Sequence, residues 1–254
     1  MSEYLFSLLK FTIRMMGKRN YNINMYAALE QWNVNNFVAY YGRPQNEFLS
    51  SMLHRMIIDN KSFSIRSMMS TILTKDDGST CLVFFIPKGT KASVSIETLQ
   101  VFIDIMDNIV FNINDVFNNP LVKPIKISKG IIISTGEFTS SARILFGEAR
   151  KTRVIQYFTD DDILIDPSIH IYNPEIQILS PIEKDNFLQT NNLETRKMAQ
   201  NTDEEALAKY LGAEVGDIVE YQRVTFLPYT LVESEIFHRY MKRSVERKRL
   251  ARRI

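Results

Sequence analysis

The segment from Thr202 to Arg223, TDEEALAKYLGAEVGDIVEYQR, constrains the fold more than any other part of this chain. It reads as a short capped helix, a glycine stop, a tight turn and a strand. Thr202 and Glu205 stand at capping-box spacing, and Asp203 and Glu204 suit the positive end of a helix dipole. Leu207 and Leu211 share one face, flanked by Ala206 and Tyr210. Gly212 can take the left-handed conformation that ends a helix, and Gly216-Asp217 is a turn signal. Ile218, Val219 and Tyr221 are strand formers.

The 254 residues fit one or two domains, and a 45% hydrophobic content supports a real core. No apolar run reaches the roughly 18 residues of a membrane span. LFSLLKFTI near the start contains Lys10, is followed by Arg14 and lacks a small-residue cleavage site, so no signal peptide is expected. A single cysteine, Cys81, excludes an internal disulfide and a multi-cysteine metal site, and an intracellular, reducing location is expected. The net charge of +2 hides an asymmetry. From Arg239 to Ile254 eight Lys/Arg stand against one acid, Glu246, for a net +7, which leaves the preceding residues at −5. Such a block is an interaction tail for nucleic acid or an acidic partner, or a frayed basic end.

Along the chain, Tyr4 to Gly17 reads as an amphipathic helix through Leu5, Leu8, Leu9, Thr12, Ile13 and Met16, with Gly17 as its stop. GKRNYNI is a loop, Met25 to Asn33 reads as a second helix, and Gly42-Arg43-Pro44 is a breaker. Glu47 to Met69 reads as helix then extended chain. Two strands flank the hairpin signal Asp76-Asp77-Gly78-Ser79, the second a buried run from Cys81 to Ile86. Ser95 caps a helix to about Asp107, with Leu99, Phe102, Ile103 and Met106 inward. Lys129 to Ser134 is a buried strand, Thr139 or Ser140 caps another helix, and Arg153 to Phe158 is a further strand. This alternation predicts an α/β layer, closed by the hinge TDDDILIDPS.

The segment ALAKYLGAEVGDIVEYQR resembles the assembly module of the fifth subunit shared by eukaryotic nuclear RNA polymerases, a module that archaeal polymerases carry as a separate small polypeptide. The family's D-P-V-A-R-Y-x-G helix end corresponds to Glu205 through Gly212, with Tyr210 and Gly212 in place. Its G-x-V-V turn and strand corresponds to Gly216-Asp217-Ile218-Val219, and Arg223 and Thr225 match its I-x-R-x-S strand. Upstream, His170 and Pro174 match an H-x-x-x-P pattern. CLVFFIPKGTKASVSIETLQVFIDIM resembles the family's F-V-F-F strand, loop and helix. KGIIISTGEFTSSARILF resembles its strand, T-P-S-A turn and next helix. The matches are collinear from about Leu5 to Glu235.

The departures are specific. Ile176 replaces the family's second histidine, and Met198-Ala199-Gln200-Asn201 lacks the proline and arginine of its L-P-R-I segment. Glu233 stands about where a late arginine belongs, Tyr40 to Ser67 is longer than the family needs, and the basic tail is extra. Divergence of this kind suits a homologue encoded by a large DNA virus.

The resemblance implies an α/β N-terminal jaw domain over residues 1–165, a small α+β C-terminal assembly domain with a mixed sheet over 166–241, and a basic tail over 242–254. It implies a non-catalytic polymerase subunit without cofactor or metal, docking on the largest subunit and lining the downstream DNA entry side, with no membrane and no homo-oligomer. Its place would be an intracellular transcription site: a cytoplasmic viral factory or virion if viral, the nucleus if cellular. His170, Pro174, Tyr210, Gly212, Gly216, Arg223 and Thr225 would serve subunit docking. Thr139, Ser140, Ser141 and Arg143, hydroxyls and a cation at a helix N-terminus, would lie near DNA phosphates, with Lys88 and Lys91 of the loop after the apolar strand. The weakly acidic body predicts weak DNA affinity for the chain alone.

Other chemistry fits the residues less well. His54, His170 and His238 lie apart, without metal-ligand spacing. Pro87-Lys88-Gly89-Thr90-Lys91 lacks the phosphate-loop pattern. Asp160, Asp161, Asp162 and Asp166 are either a Mg²⁺ cluster of a nuclease or a solvated hinge with a cap, and the second reading is preferred. A free-standing DNA-binding transcription accessory protein using the basic tail is the main alternative.

Overall fold

The computed structural model describes residues 1–42, 64–87, 93–108, 110–111, 125–170, 173–226 and 232–243; for 108, 110–111, 125–126, 223–226 and 232–235 the description is of the backbone only. The chain divides into two compact units, Met1–Ile165 and Asp166–Ile254.

In the first unit, α1 (Ser2–Lys18) buries Leu5, Leu8, Leu9, Thr12, Ile13 and Met16, the stripe its spacing demands. The helix runs one residue past Gly17, and the left-handed step that follows is taken by Asn20, at φ 63°. The segment read as one helix from Met25 to Asn33 is instead a 3-10 turn, Asn24–Glu30, followed by α2 (Val34–Tyr41). The break falls at Asn33 because its side chain accepts from the Asn36 N–H, which holds Asn33 extended as an N-cap. Most of Glu47–Met69 lies outside the described residues; its end forms α3 (Ile65–Met68), capped by Ser64.

The sheet of this unit has the order β1 (Thr71–Thr74), β2 (Thr80–Phe85), β5 (Lys129–Ser134), β6 (Val154–Thr159). β1 and β2 are antiparallel across the turn at Gly78, where φ is 81°, while β2, β5 and β6 run parallel. Parallel neighbours need crossovers, and α4 (Ile96–Asn108) and α5 (Ser140–Thr152) lie within those connections. β2 is buried along its whole length, as a strand covered on both faces must be. On one face α4 approaches β5 so closely that a Cβ on Gly130 would lie 2.5 Å from Phe102 and 2.6 Å from the Met106 sulfur. On the same face Tyr157 meets Phe138 and Phe146. On the other, Arg19 at the end of α1 donates to Gln156 and lies over the Phe158 ring. A separate two-residue pair joins β3 (Val110–Phe111) to β4 (Ile125–Lys126).

The aspartate-rich stretch read as a solvated hinge is partly interior. Thr159 caps α6 (Asp160–Leu164) in a capping box with Asp162, and Asp160 and Ile163 are buried. Asp160 turns inward because Arg66, also buried, offers it a guanidinium. Asp166 caps the 3-10 turn Pro167–Ile169.

The second unit is a four-stranded mixed sheet in the order β7 (Glu175–Ile178), β9 (Ile218–Phe226), β10 (Val232–Lys242), β8 (Gln200–Thr202). β7 and β10 are antiparallel to β9, and β8 is parallel to β10. Ala208, Ala213, Val219, Tyr221 and Met241 form its core, with Ile176, Ile178 and Phe237 packed against them. The helix α7 (Pro181–Thr190), absent from the expectations above, begins with a capping box between Ser180 and Glu183 and a proline at its first position. A second correction concerns the cap of α8 (Ala206–Leu211): Glu205 is the N-cap, accepting from the N–H groups of Leu207 and Ala208. Thr202 pairs with Lys242 in β8, so its backbone stays extended and the helix starts only after the turn at Asp203-Glu204.

The two four-stranded sheets, both mixed and both accompanied by helices, are consistent with an α/β fold.

Candidate functional site

The second unit places its sequence-selected residues around one helix, turn and strand. Tyr210 is buried on α8. Gly212 ends α8 in the left-handed conformation, at φ 90° and ψ 21°. Gly216 has φ 104°, and its N–H donates to the carbonyl of Met241. Asp217 closes the same turn: its carboxylate accepts from the Glu214 N–H, and its carbonyl accepts from Met241 N–H. The two glycines therefore reverse the chain within a few residues and deliver it into β9 beside β10.

Arg223 and Thr225 follow in β9, in register with Glu235 and Glu233 of β10. His170 ends the 3-10 turn Pro167–Ile169, its side chain exposed and its carbonyl accepting from the Asn173 N–H. That turn packs against α8, which brings His170 toward the same helix as Tyr210 and Gly212. Pro174 is half-buried just before β7. Ile176, where the family has a histidine, packs against the core instead of serving as a polar group.

Sequence reasoning missed two side chains that brace this region. Lys184 of α7 donates to the Gly216 carbonyl at 2.6 Å, tying the helix to the glycine turn. His238 on β10 stacks on Phe187 of α7 with ring centres 4.1 Å apart and bonds the Glu220 carboxylate at 3.0 Å. The Ser180-x-x-Glu183 spacing with Pro181 was the available signal for that helix. Nothing local announced its partners.

In the first unit, Thr139 is the N-cap of α5, its hydroxyl accepting from the Ala142 N–H at 3.3 Å. The Thr139 N–H donates to the Val94 carbonyl, and Phe138 forms a parallel bridge with Val94. The turn is thus pinned from both sides. Ser140 and Ser141 are exposed on the first turn of the helix. Arg143, one turn in, pairs with Glu137 at 3.2 Å, and the two side chains are 47% and 83% exposed. Such a pair contributes no more than about 1 kcal/mol, so an incoming anion could displace the carboxylate. Lys88 and Lys91 lie outside the described residues.

Among the described residues no group of three or more His, Cys, Asp or Glu side chains is placed to hold a metal ion. The Asp160 carboxylate is already engaged, accepting two hydrogen bonds from Arg66 and one from Tyr4. Cys81 is wholly buried, and burial pushes its thiol up to about 11, as an inert core cysteine requires. Among the described residues no helix is long and apolar enough to cross a membrane.

Comparison with known proteins bears on the second unit. Residues 165–226 match the family model of the RNA polymerase Rpb5 C-terminal domain. The match opens at the end of the first unit and runs through β9. A search of curated proteins finds no match to this chain.

Proposed function

We propose, from the premise that this chain carries an RNA polymerase Rpb5 C-terminal domain and is therefore an RNA polymerase subunit, that it is a non-catalytic part of a multisubunit DNA-directed enzyme. The second unit, residues 166–241, is its assembly domain and docks on the largest subunit. The first, residues 1–165, is its jaw, lining the side where downstream duplex DNA enters, and residues 242–254 are a basic tail. Nucleotidyl transfer takes place elsewhere, on metal-binding carboxylates of the large subunits. The subunit works at a transcription site: a viral factory or virion if its source is viral, the nucleus if cellular.

The observation that carries this reading is the family match over residues 165–226. The rest supports it in detail. The glycine turn of the second unit, hydrogen-bonded to β10 through Met241, is suited to docking, because a surface ordered beforehand loses little entropy on binding. In the first unit, the capped start of α5 presents two exposed hydroxyls and a weakly held arginine, a phosphate contact without base readout.

Affinity purification of the tagged chain at moderate salt tests the proposal. Two very large polymerase subunits should co-purify. Recovery of the chain alone, together with DNA binding that disappears when residues 242–254 are deleted, would instead establish the free-standing accessory protein.

A further inference from the structure

A basic groove between α1 and the 3-10 turn Asn24–Glu30 has no part in the function above. Its volume is about 760 Å³. Lys10, Arg14 and Lys18 line it from α1, at positions i, i+4 and i+8. Residues at that spacing share a helix face and rise about 6 Å per step. The side chains are placed by their own helix: the Lys10 ammonium lies 4.3 Å from the Phe6 ring centre, and the Arg14 guanidinium lies 5.4 Å from that of Phe11. The remaining lining combines the apolar Ile13, Ile23, Ala27 and Leu29 with the polar Asn24 and Tyr26. Gly17 lets the wall close, since a Cβ there would lie 2.9 Å from Ile23 Cδ1. Glu30 is the one acidic side chain of the lining.

We infer that this groove is a docking site for an acidic amphipathic segment of a partner protein. Carboxylates one helical turn apart meet the row of cations, and apolar side chains between them enter against Ile23 and Leu29. An amphipathic helix read at i, i+4 and i+8 matches that row turn for turn. A nucleic-acid strand fits less well. The cations would meet its phosphates, but the apolar side chains of Ile13, Ile23 and Leu29 would then lie against a charged backbone, and Glu30 would repel it.

The test uses the full-length chain and fluorescence anisotropy with two labelled probes, a helical peptide of Glu, Asp, Leu and Phe, and oligo-dT. The peptide should bind with an affinity that falls as salt rises. The double variant K10E/R14E should weaken it by roughly tenfold or more, because two attractions become repulsions. Ala27→Trp, which fills the groove without changing charge, should weaken it as well. Circular dichroism confirms that both variants are folded. Peptide binding unchanged in either folded variant overturns the inference, as does no peptide binding at all. Tighter binding of oligo-dT, lost in K10E/R14E, overturns it in favour of a nucleic-acid groove.

Discussion

Arg66 and Asp160 are 94 residues apart in sequence and meet at 2.5 Å inside the first unit, each side chain 4% exposed. The guanidinium donates to both carboxylate oxygens and also to the carbonyls of Ile86 and Ile133, at the ends of β2 and β5. The Tyr4 hydroxyl, from the first turn of α1, donates to the same carboxylate at 2.8 Å. One buried pair thus joins α3, α6, α1 and two strand ends.

Removing either partner leaves a buried charge without its counterion. Asp160→Asn and Arg66→Ala should each lower the unfolding free energy by about 3–5 kcal/mol. Replacing both together by Leu and Met should cost less than the sum of the single losses. Urea denaturation of the four proteins checks this, and additive losses would contradict it.

Cys81 should resist thiol reagents in the native state, because its burial favours the neutral thiol, which is not the nucleophile. Its pKa is raised from 9.0 to about 11. The sign follows. The stability due to the neutral thiol is fully present below pH 9 and falls as pH rises toward 11, where the unfolded chain has already released the proton. A Cys81→Ala variant should lose stability less steeply over that window, measured by denaturation at several pH values.

Gly212 and Gly216 both have positive φ, at 90° and 104°. A side chain at Gly216 would meet nothing within 4 Å, so the cost of Gly216→Ala is backbone strain alone. That cost should be about 1–2 kcal/mol. Thermal unfolding measures it. If docking depends on this turn, co-purification with the large subunits should weaken more than the stability loss explains.

Thr139→Ala should cost about 1 kcal/mol through the lost cap. Arg143→Glu should leave stability within about 0.5 kcal/mol, since an exposed pair contributes little. In an assembled polymerase, however, Arg143→Glu should weaken the grip on downstream DNA and make its dependence on salt shallower, since one phosphate contact fewer releases fewer counterions. A transcription run-off series at increasing salt reads this. An unchanged salt response would remove Arg143 from the DNA path.

Several elements were legible because their signals are local. The hairpin at Gly78, the buried strand Lys129–Ser134 and the left-handed Gly212 each depend on residues within a few positions of one another. The Thr139 cap was legible for the same reason, as one of two neighbouring candidates. Misreadings arose where a distant pairing overrode a local preference. Thr202 has the spacing of a cap, yet its ladder with Lys242 keeps it in a strand and leaves Glu205 to cap α8. Asp160 sits among three consecutive aspartates and reads as solvated, but Arg66 draws it inside.

Helix periodicity, glycine turns and strand chemistry are short-range properties, and they were sufficient for the helix–turn–strand signature of the second unit. The row of Lys10, Arg14 and Lys18 was equally present along one helix face, but without a wall it is only a solvated stripe. Folding supplied that wall by laying Asn24–Glu30 across α1. It likewise chose which aspartate of a run would be buried and which strand would claim Thr202. The last two choices rest on contacts between residues 94 and 40 positions apart, whose energies exist only once the chain has closed on itself.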